Sequence, residues 1–255
     1  MRFRLPVPVL IVLLLLAEGV LIGLGVWQLQ RNTWRNTLVA ERNAHIAGAP
    51  LPAAEAQRLA LTDLDYRLVS GAGTWDVARA MVLANRVRFA TKGEEIVVPL
   101  LLAPGGPAVL VNRGWYAEGQ RDAVLATLGA EGAANAAAGT EGLARYVEGL
   151  RGTRTPAGTW TQISPRDMGA TLPYPVLPWY VIEGHVLSDS GTSRPPGTLL
   201  VQGFYPYTSA TPHMEYALTW FGIATALAAI AYVRLVVTPR KERRGRTAAE
   251  AVEDA

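Results

Sequence analysis

Two long apolar stretches, one near each end of the 255-residue chain, decide most of what it can become. The second begins within Thr211-Pro-His-Met-Glu-Tyr-Ala-Leu-Thr-Trp-Phe-Gly-Ile-Ala224 and runs through Tyr232 to about Thr238. Roughly 22 residues at ~1.5 Å rise each match a ~30 Å hydrocarbon slab, so a transmembrane helix is expected over 213–238. The first runs from Pro6 to Leu29, interrupted only by Glu18, behind a short segment carrying Arg2 and Arg4. It exceeds the about 7–15 apolar residues of a secretory signal, and no Ala-x-Ala site follows before Trp27, so a retained span over 6–29 is expected.

Between the spans, residues 30–212 are expected to form one outer domain. No Lys or Arg occurs between Arg194 and Arg234, while five basic residues crowd Arg240 to Arg246. By the positive-inside asymmetry the tail 239–255 is cytoplasmic, residues 1–5 are cytoplasmic as well, and the middle domain is extracytoplasmic. Arg31 and Arg35 oppose that orientation at the first span, where the asymmetry is shallower. From Arg31 to Glu215 the chain holds 16 basic and 16 acidic residues, so the net excess of +3 lies outside the domain and nucleic acid is not an expected partner. The absence of cysteine removes disulfides, thiolate metal sites and thiol nucleophiles.

Within the first span, Gly19-x-x-x-Gly23 offers a small-residue face, and Ala217, Gly222, Ala224 and Ala228 offer small partners on the second, so the two spans are expected to pack together or dimerise. Glu18 lies near mid-bilayer, either protonated against a partner helix or functional. Trp27, Arg31, Trp34 and Arg35 recur at helical spacing and predict an amphipathic continuation of the helix at the outer interface. Their two readings are an aromatic belt with arginines on lipid phosphate, and guanidinium groups pairing with a ligand carboxylate.

Residues 52–61 read as a short helix. Strands are expected over Tyr66–Gly71, Ala80–Asn85, Glu95–Leu102, Ala108–Trp115, Ala144–Gly149, Trp179–Val186 and Leu199–Phe204. Pro104-Gly-Gly-Pro107 predicts an antiparallel hairpin between the third and fourth. Gly129 to Gly142 lacks apolar periodicity and reads as a mobile low-complexity connection. The fold class that results is an α+β membrane protein: two transmembrane helices flanking a small antiparallel β-rich extracytoplasmic domain.

The familiar catalytic signatures are missing: no Gly-x-Ser-x-Gly, no His-Glu-x-x-His, no P-loop and no dinucleotide fingerprint. Acid–base work by Glu94, Glu95 or Asp76 is the enzymatic alternative, set against their being solvated turn residues. His45 and His185 read as a loop residue and a structural strand residue. His213 stands out because Tyr216, Ala217 and Trp220 share its helical face at the membrane surface. An imidazole beside aromatics with arginines nearby suits axial ligation of a haem iron; a helix-start histidine bonded to backbone or headgroup is the plainer alternative.

Several blocks, in this order, resemble the Surfeit locus 1 proteins, membrane factors of cytochrome c oxidase assembly. They are Leu24-Gly-Val-Trp-Gln-Leu-Gln-Arg31, Tyr66-Arg-Leu-Val-Ser-Gly-Ala-Gly-Thr-Trp75, Gly93-Glu-Glu-Ile-Val-Val-Pro99, Val109-Leu-Val-Asn-Arg-Gly-Trp115 and His213-Met-Glu-Tyr-Ala-Leu-Thr-Trp-Phe221. The resemblance implies a non-enzymatic factor that delivers or retains haem a for oxidase subunit I, with other oxidase assembly factors, haem synthesis enzymes and membrane lipid as partners. Carried over by position, it makes His213 the haem ligand. Trp27, Gln28 and Arg31 match the first motif, and Asn112, Arg113, Gly114 and Trp115 match the hairpin motif. The expected pocket is His213 with Trp27, Arg31, Arg35, Tyr216 and Trp220. A scaffold that stabilises assembly intermediates without touching haem is the alternative. No transit-peptide pattern is visible, so a bacterial or archaeal plasma membrane is the expected location. From the residues alone, Gly114 suits a bulge with positive φ, Arg113 a bridge to loop carbonyls, and Trp115 a plug for the core.

Overall fold

A computed structural model describes residues 6–134, 138–187, 197–208 and 211–240. Arg2, Arg4 and the basic run 241–246, which carried the orientation, lie outside them. The chain forms two compact units: Met1–Val39 with Thr208–Ala255, and Ala40–Tyr207.

The first unit is a helix pair. Helix α1 spans Val7–Ala47, and the other helical stretch runs from His213 to Arg240; both are long and apolar enough to cross a membrane. At ~1.5 Å per residue, 41 residues reach ~60 Å, about twice a hydrocarbon slab, so α1 continues well past residue 29 without a break. The two helices run antiparallel, since Gln28 meets His213 while Gly25, earlier on α1, meets Phe221, later on its partner. Close approach here depends on glycine: a Cβ built on Gly25 would stand 2.6 Å from the Phe221 ring. The spans therefore do pack together, though not through the expected Gly-x-x-x-Gly face. A Cβ at Gly19, Gly23 or Gly222 would meet open space, whereas Ala217 and Ala224 are buried in the seam. Glu18 is half-buried, and its Oε1 is buried without a hydrogen-bond partner among the described residues.

The second unit is β-rich. Strand β1 (Leu51–Pro52) and helices α2 (Ala53–Ala56) and α3 (Leu61–Leu64) precede β2 (Leu68–Trp75), β3 (Met81–Arg88), β4 (Thr91–Leu101) and β5 (Ala108–Ala117). Helix α4 (Arg121–Ala134), β6 (Ala138–Arg145), α5 (Pro165–Gly169) and β7 (Val176–Glu183) complete it. Strand order is β1-β2-β6-β7-β5-β4-β3, and a further β2–β4 pairing at Thr74↔Leu101 and Trp75↔Leu100 closes β2, β6, β7, β5 and β4 into a barrel. Pairing is antiparallel except for β1–β2 and for β5–β7, where Val111 faces Val181 and Asn112 faces Ile182. Closure pairs β2 with β4, so among these strands only the flanking β1 and β3 keep an open side.

The expected hairpin is β4–β5, joined across 102–107. Strand β5 is buried along nearly its whole length, and Ile96, Val98, Leu100, Val109, Val111, Tyr116, Trp179 and Val181 form the core with Val124 and Leu128 of α4. Three expectations are overturned. Of the stretch from Gly129 to Gly142, expected to be a mobile connection, 129–134 belong to α4 and 138–142 to β6, while 135–137 lie outside the described residues. Strand β6 lies before the expected Ala144–Gly149 strand and overlaps it by two residues. Leu199–Phe204 forms only isolated bridges, Trp115↔Val201 and Val186↔Phe204.

Candidate functional site

The candidate site belongs to the helix pair. His213 opens the second helix, here α6 (His213–Tyr232), directly after Pro212. Its Nδ1 lies 2.8 Å from Gln28 Oε1, joining the Leu24–Arg31 and His213–Phe221 blocks of the sequence. Ala217, one turn further along α6, is fully buried, and Trp220 is half-buried. Tyr216, on the edge of that stripe, is 51% exposed.

On α1 the ideal ~100° turn per residue puts Trp27, Arg31 and Trp34 on one stripe and Gln28 with Arg35 on the next. The Arg31 guanidinium stacks over Trp34 at 4.1 Å, and Arg35 lies 5.9 Å from the same ring. Trp27 is 54% exposed. Of the six residues expected to hold a ligand, then, His213 bonds across the packed seam, Trp220 is half-buried, Tyr216 and Trp27 are exposed, and Arg31 and Arg35 are gathered around Trp34. Gln28 is the site residue that spacing alone did not single out; its seam position, i+3 from Gly25, is the signal that could have found it.

The donor set bears on which metal group could be held. Among the described residues no cluster of three His, Asp, Glu or Cys side chains is close enough to cage an ion. A porphyrin supplies four equatorial nitrogens of its own and asks the protein for an axial donor, flat apolar surface and cations for its carboxylates. One imidazole, three aromatics and two arginines fit that request; they do not fit a bare zinc or copper ion.

In the barrel, the Asn112–Trp115 motif proves to be architecture. The β4–β5 register pairs Ile96 with Gly114 and then Val97 with Asn112, so Arg113 is the extra residue of a bulge. Gly114 takes φ +129°, and Asn112 Oδ1 accepts from its N–H at 3.0 Å, while Asn112 Nδ2 donates to Glu95 at 3.1 Å. Arg113 does not bridge loop carbonyls. It pairs through Nε with the buried Glu183, donates to Glu131 at 3.1 Å and covers the Trp75 ring at 4.3 Å. Thr140 and Gln202 also donate to Glu183. Burial pushes the Glu183 carboxyl above its ordinary range, against the pull of Arg113. Trp115 is fully buried, as expected, and its indole N–H donates to the Arg86 carbonyl.

Nor are Glu94, Glu95 and Asp76 solvated turn residues. Glu94, within β4, accepts from Tyr116 and Arg121; burial opposes its charge, but those bonds outweigh burial and hold its carboxyl below the usual range. Glu95 faces Asn112, Arg86 and Arg88, and Asp76 accepts from Arg79 and Tyr174. Each is engaged by structural partners rather than aimed at an open cleft. His185 sits beyond β7 and is exposed, 3.8 Å from Glu141, not inside a strand; His45 lies in the last turn of α1, not in a loop.

Comparison with known proteins places these features in context. The chain matches the model of the SURF1 family over residues 15–225. It is similar to Surfeit locus protein 1 of Mus musculus, 26% identical over 242 residues that cover 88% of this chain and 74% of that protein. It is also similar to Surfeit locus protein 1 of Xenopus tropicalis, 25% identical, covering 84% and 72%. A SURF1-like protein of Drosophila melanogaster is 27% identical, covering 88% and 76%.

Proposed function

Because the chain belongs to the SURF1 family, we propose that it is a non-enzymatic assembly factor for cytochrome c oxidase, holding haem a as cargo and assisting its insertion into, or retention by, subunit I. The observation that carries this reading is the pairing of His213 with Gln28 at the start of α6, which joins the α1 stretch that carries Trp27, Arg31 and Arg35 to the α6 turns that carry Tyr216 and Trp220. Bound there, the porphyrin would contribute an iron able to accept the His213 imidazole as a ligand. The protein's own part is to present His213, to cover the macrocycle with aromatic rings instead of water, and to answer its carboxylates with guanidinium groups.

The orientation that goes with this function puts both termini in the cytoplasm of a bacterial or archaeal plasma membrane and the barrel outside it. The steep basic asymmetry around the second span supports it. Oxidase subunit I and other assembly factors are the protein partners of this reading, with haem synthesis enzymes upstream and membrane lipid around the spans.

The test is the optical spectrum of the full chain, purified in detergent from cells that make haem a, with and without His213→Ala. Wild-type protein is expected to carry haem that His213→Ala loses. A colourless wild-type protein that still co-purifies with oxidase intermediates would instead favour a scaffold.

A further inference from the structure

Three chemical facts about the His213–Gln28 contact combine into a statement about one proton. The nearest atom to the His213 ring on Gln28 is Oε1, at 2.8 Å from Nδ1. An amide oxygen bears no hydrogen and only accepts, so the proton in this bond belongs to Nδ1 of the imidazole. In a neutral imidazole one nitrogen donates and the other keeps its lone pair, which leaves Nε2 as the lone-pair nitrogen. Nothing among the described residues hydrogen-bonds to Nε2.

We infer that Gln28 is a positioning residue that fixes His213 as the Nδ1–H tautomer, leaving the Nε2 lone pair as a ready metal donor. This rests on the proposed haem-holding role only for the identity of the metal group; the tautomer itself is a property of the empty chain.

The surrounding packing explains why the contact holds. Gly25 lets Phe221 lie against the α1 backbone, bringing the two helices close enough for a glutamine side chain to cross between them. Ala217, buried one turn beyond His213, adds no bulk to the same seam. Glutamine then supplies a neutral acceptor, and its two remaining donors cannot compete for Nδ1, because the oxygen is the end that faces the ring. An outer acceptor of this kind is what fixes the tautomer and ring orientation of metal-binding histidines in general, and its loss typically costs about 10–100-fold in metal affinity.

The experiment uses the full chain in detergent micelles, free of haem and labelled with ¹⁵N at histidine. Only His45, His185 and His213 contribute, and a His213→Ala sample identifies the His213 signals. Ring nitrogen shifts report directly which nitrogen bears the proton. Wild type is expected to show a protonated Nδ1 and a lone-pair Nε2. Gln28→Met and Gln28→Leu, which remove the acceptor oxygen, are expected to move His213 toward the Nε2–H form that an unrestrained histidine favours. Ferric protoporphyrin IX is then titrated into each sample, and both variants are expected to bind it about 10–100-fold more weakly. A wild-type proton on Nε2, or an unchanged tautomer in the variants, overturns the inference. Should the tautomers behave as expected while no sample binds the porphyrin, the haem reading falls and the positioning of His213 stands.

Discussion

Replacing Arg113 with methionine tests whether the barrel is built around a buried charge pair. Arg113 and Glu183 are both almost fully enclosed, with side-chain exposures of 9% and 11%. The substitution keeps most of the side-chain volume but, among the described residues, leaves Glu183 with Thr140 and Gln202 as donors. Removing one partner of a buried pair typically costs about 3–5 kcal/mol. The carboxyl has one escape, which is to take up a proton. At pH 7 neutralising a carboxyl of ordinary pKa, about 4.3, costs about 3.7 kcal/mol at about 1.36 kcal/mol per unit, and at pH 5 only about 1 kcal/mol. Burial already holds Glu183 above its ordinary range, so its contribution is complete below the unfolded range and is lost as pH rises through the raised folded value. Arg113→Met raises that value further, so its cost must grow with pH. The expected destabilisation is about 4 kcal/mol at pH 7 and about 1–2 kcal/mol at pH 5, the residue at low pH coming from the lost stacking on Trp75. Hydrogen exchange of the β5 and β7 amides in the full chain reads this free energy without unfolding the helices. Adding Glu183→Gln to Arg113→Met should recover most of the pH 7 loss. An equal loss at both pH values, or no recovery in the double variant, would refute the reasoning.

Two further outcomes follow from geometry. Gly25→Leu places a side chain where the Phe221 ring lies, so it should separate α1 from α6; since the chain has no cysteine, a Gln28→Cys/His213→Cys pair treated with a short bis-maleimide should cross-link efficiently with Gly25 and poorly with leucine there. At the β3–β4 turn, Phe89 and Ala90 both adopt φ 54°, a left-handed conformation that costs a non-glycine residue roughly 1–2 kcal/mol, so Ala90→Gly should stabilise the barrel by about 0.5–1 kcal/mol after glycine's own entropy loss, seen as slower β4 amide exchange.

What the sequence revealed depended on how local each cause was. The two spans and the β4–β5 hairpin are written in contiguous apolar runs and in the Pro104–Pro107 turn, so they were legible. Helix α4 was hidden because, among its described side chains, Val124 and Leu128 alone are buried, too few to stand out against an alanine- and glycine-rich background. Strand β6, Ala-Gly-Thr-Glu-Gly-Leu-Ala-Arg, has almost no β-propensity of its own; its pairing with β2 and β7 on both sides makes it a strand. The parallel β5–β7 pairing within the barrel joins residues as far apart as Val111 and Val181, a distance over which no local pattern speaks. At the site, residue types on α6 were legible from spacing, but which face of α1 meets His213 was not. That choice turned on Gly25 rather than on the more conspicuous Gly19 and Gly23.

The polar residues of the sequence motifs thereby separate into two kinds. Those of the Asn112–Trp115 block are committed inside the barrel: Asn112 to the bulge and Glu95, Arg113 to Glu183 and Glu131, and Trp115 to the Arg86 carbonyl. Glu94 and Asp76 are likewise engaged by Arg121 with Tyr116 and by Arg79 with Tyr174. A group so bonded has little left to offer a ligand without breaking the fold, since each buried partner left behind costs about 1–3 kcal/mol. His213 differs because Gln28 holds one ring nitrogen, which in the inference above leaves the lone pair of the other for a ligand. Substitutions in the barrel motif should therefore act through stability and be partly rescued by conditions that favour folding. Substitutions at His213 or Gln28 should leave the barrel's amide protection unchanged and act on ligand binding alone, a contrast that hydrogen exchange and porphyrin titration on the same samples can resolve.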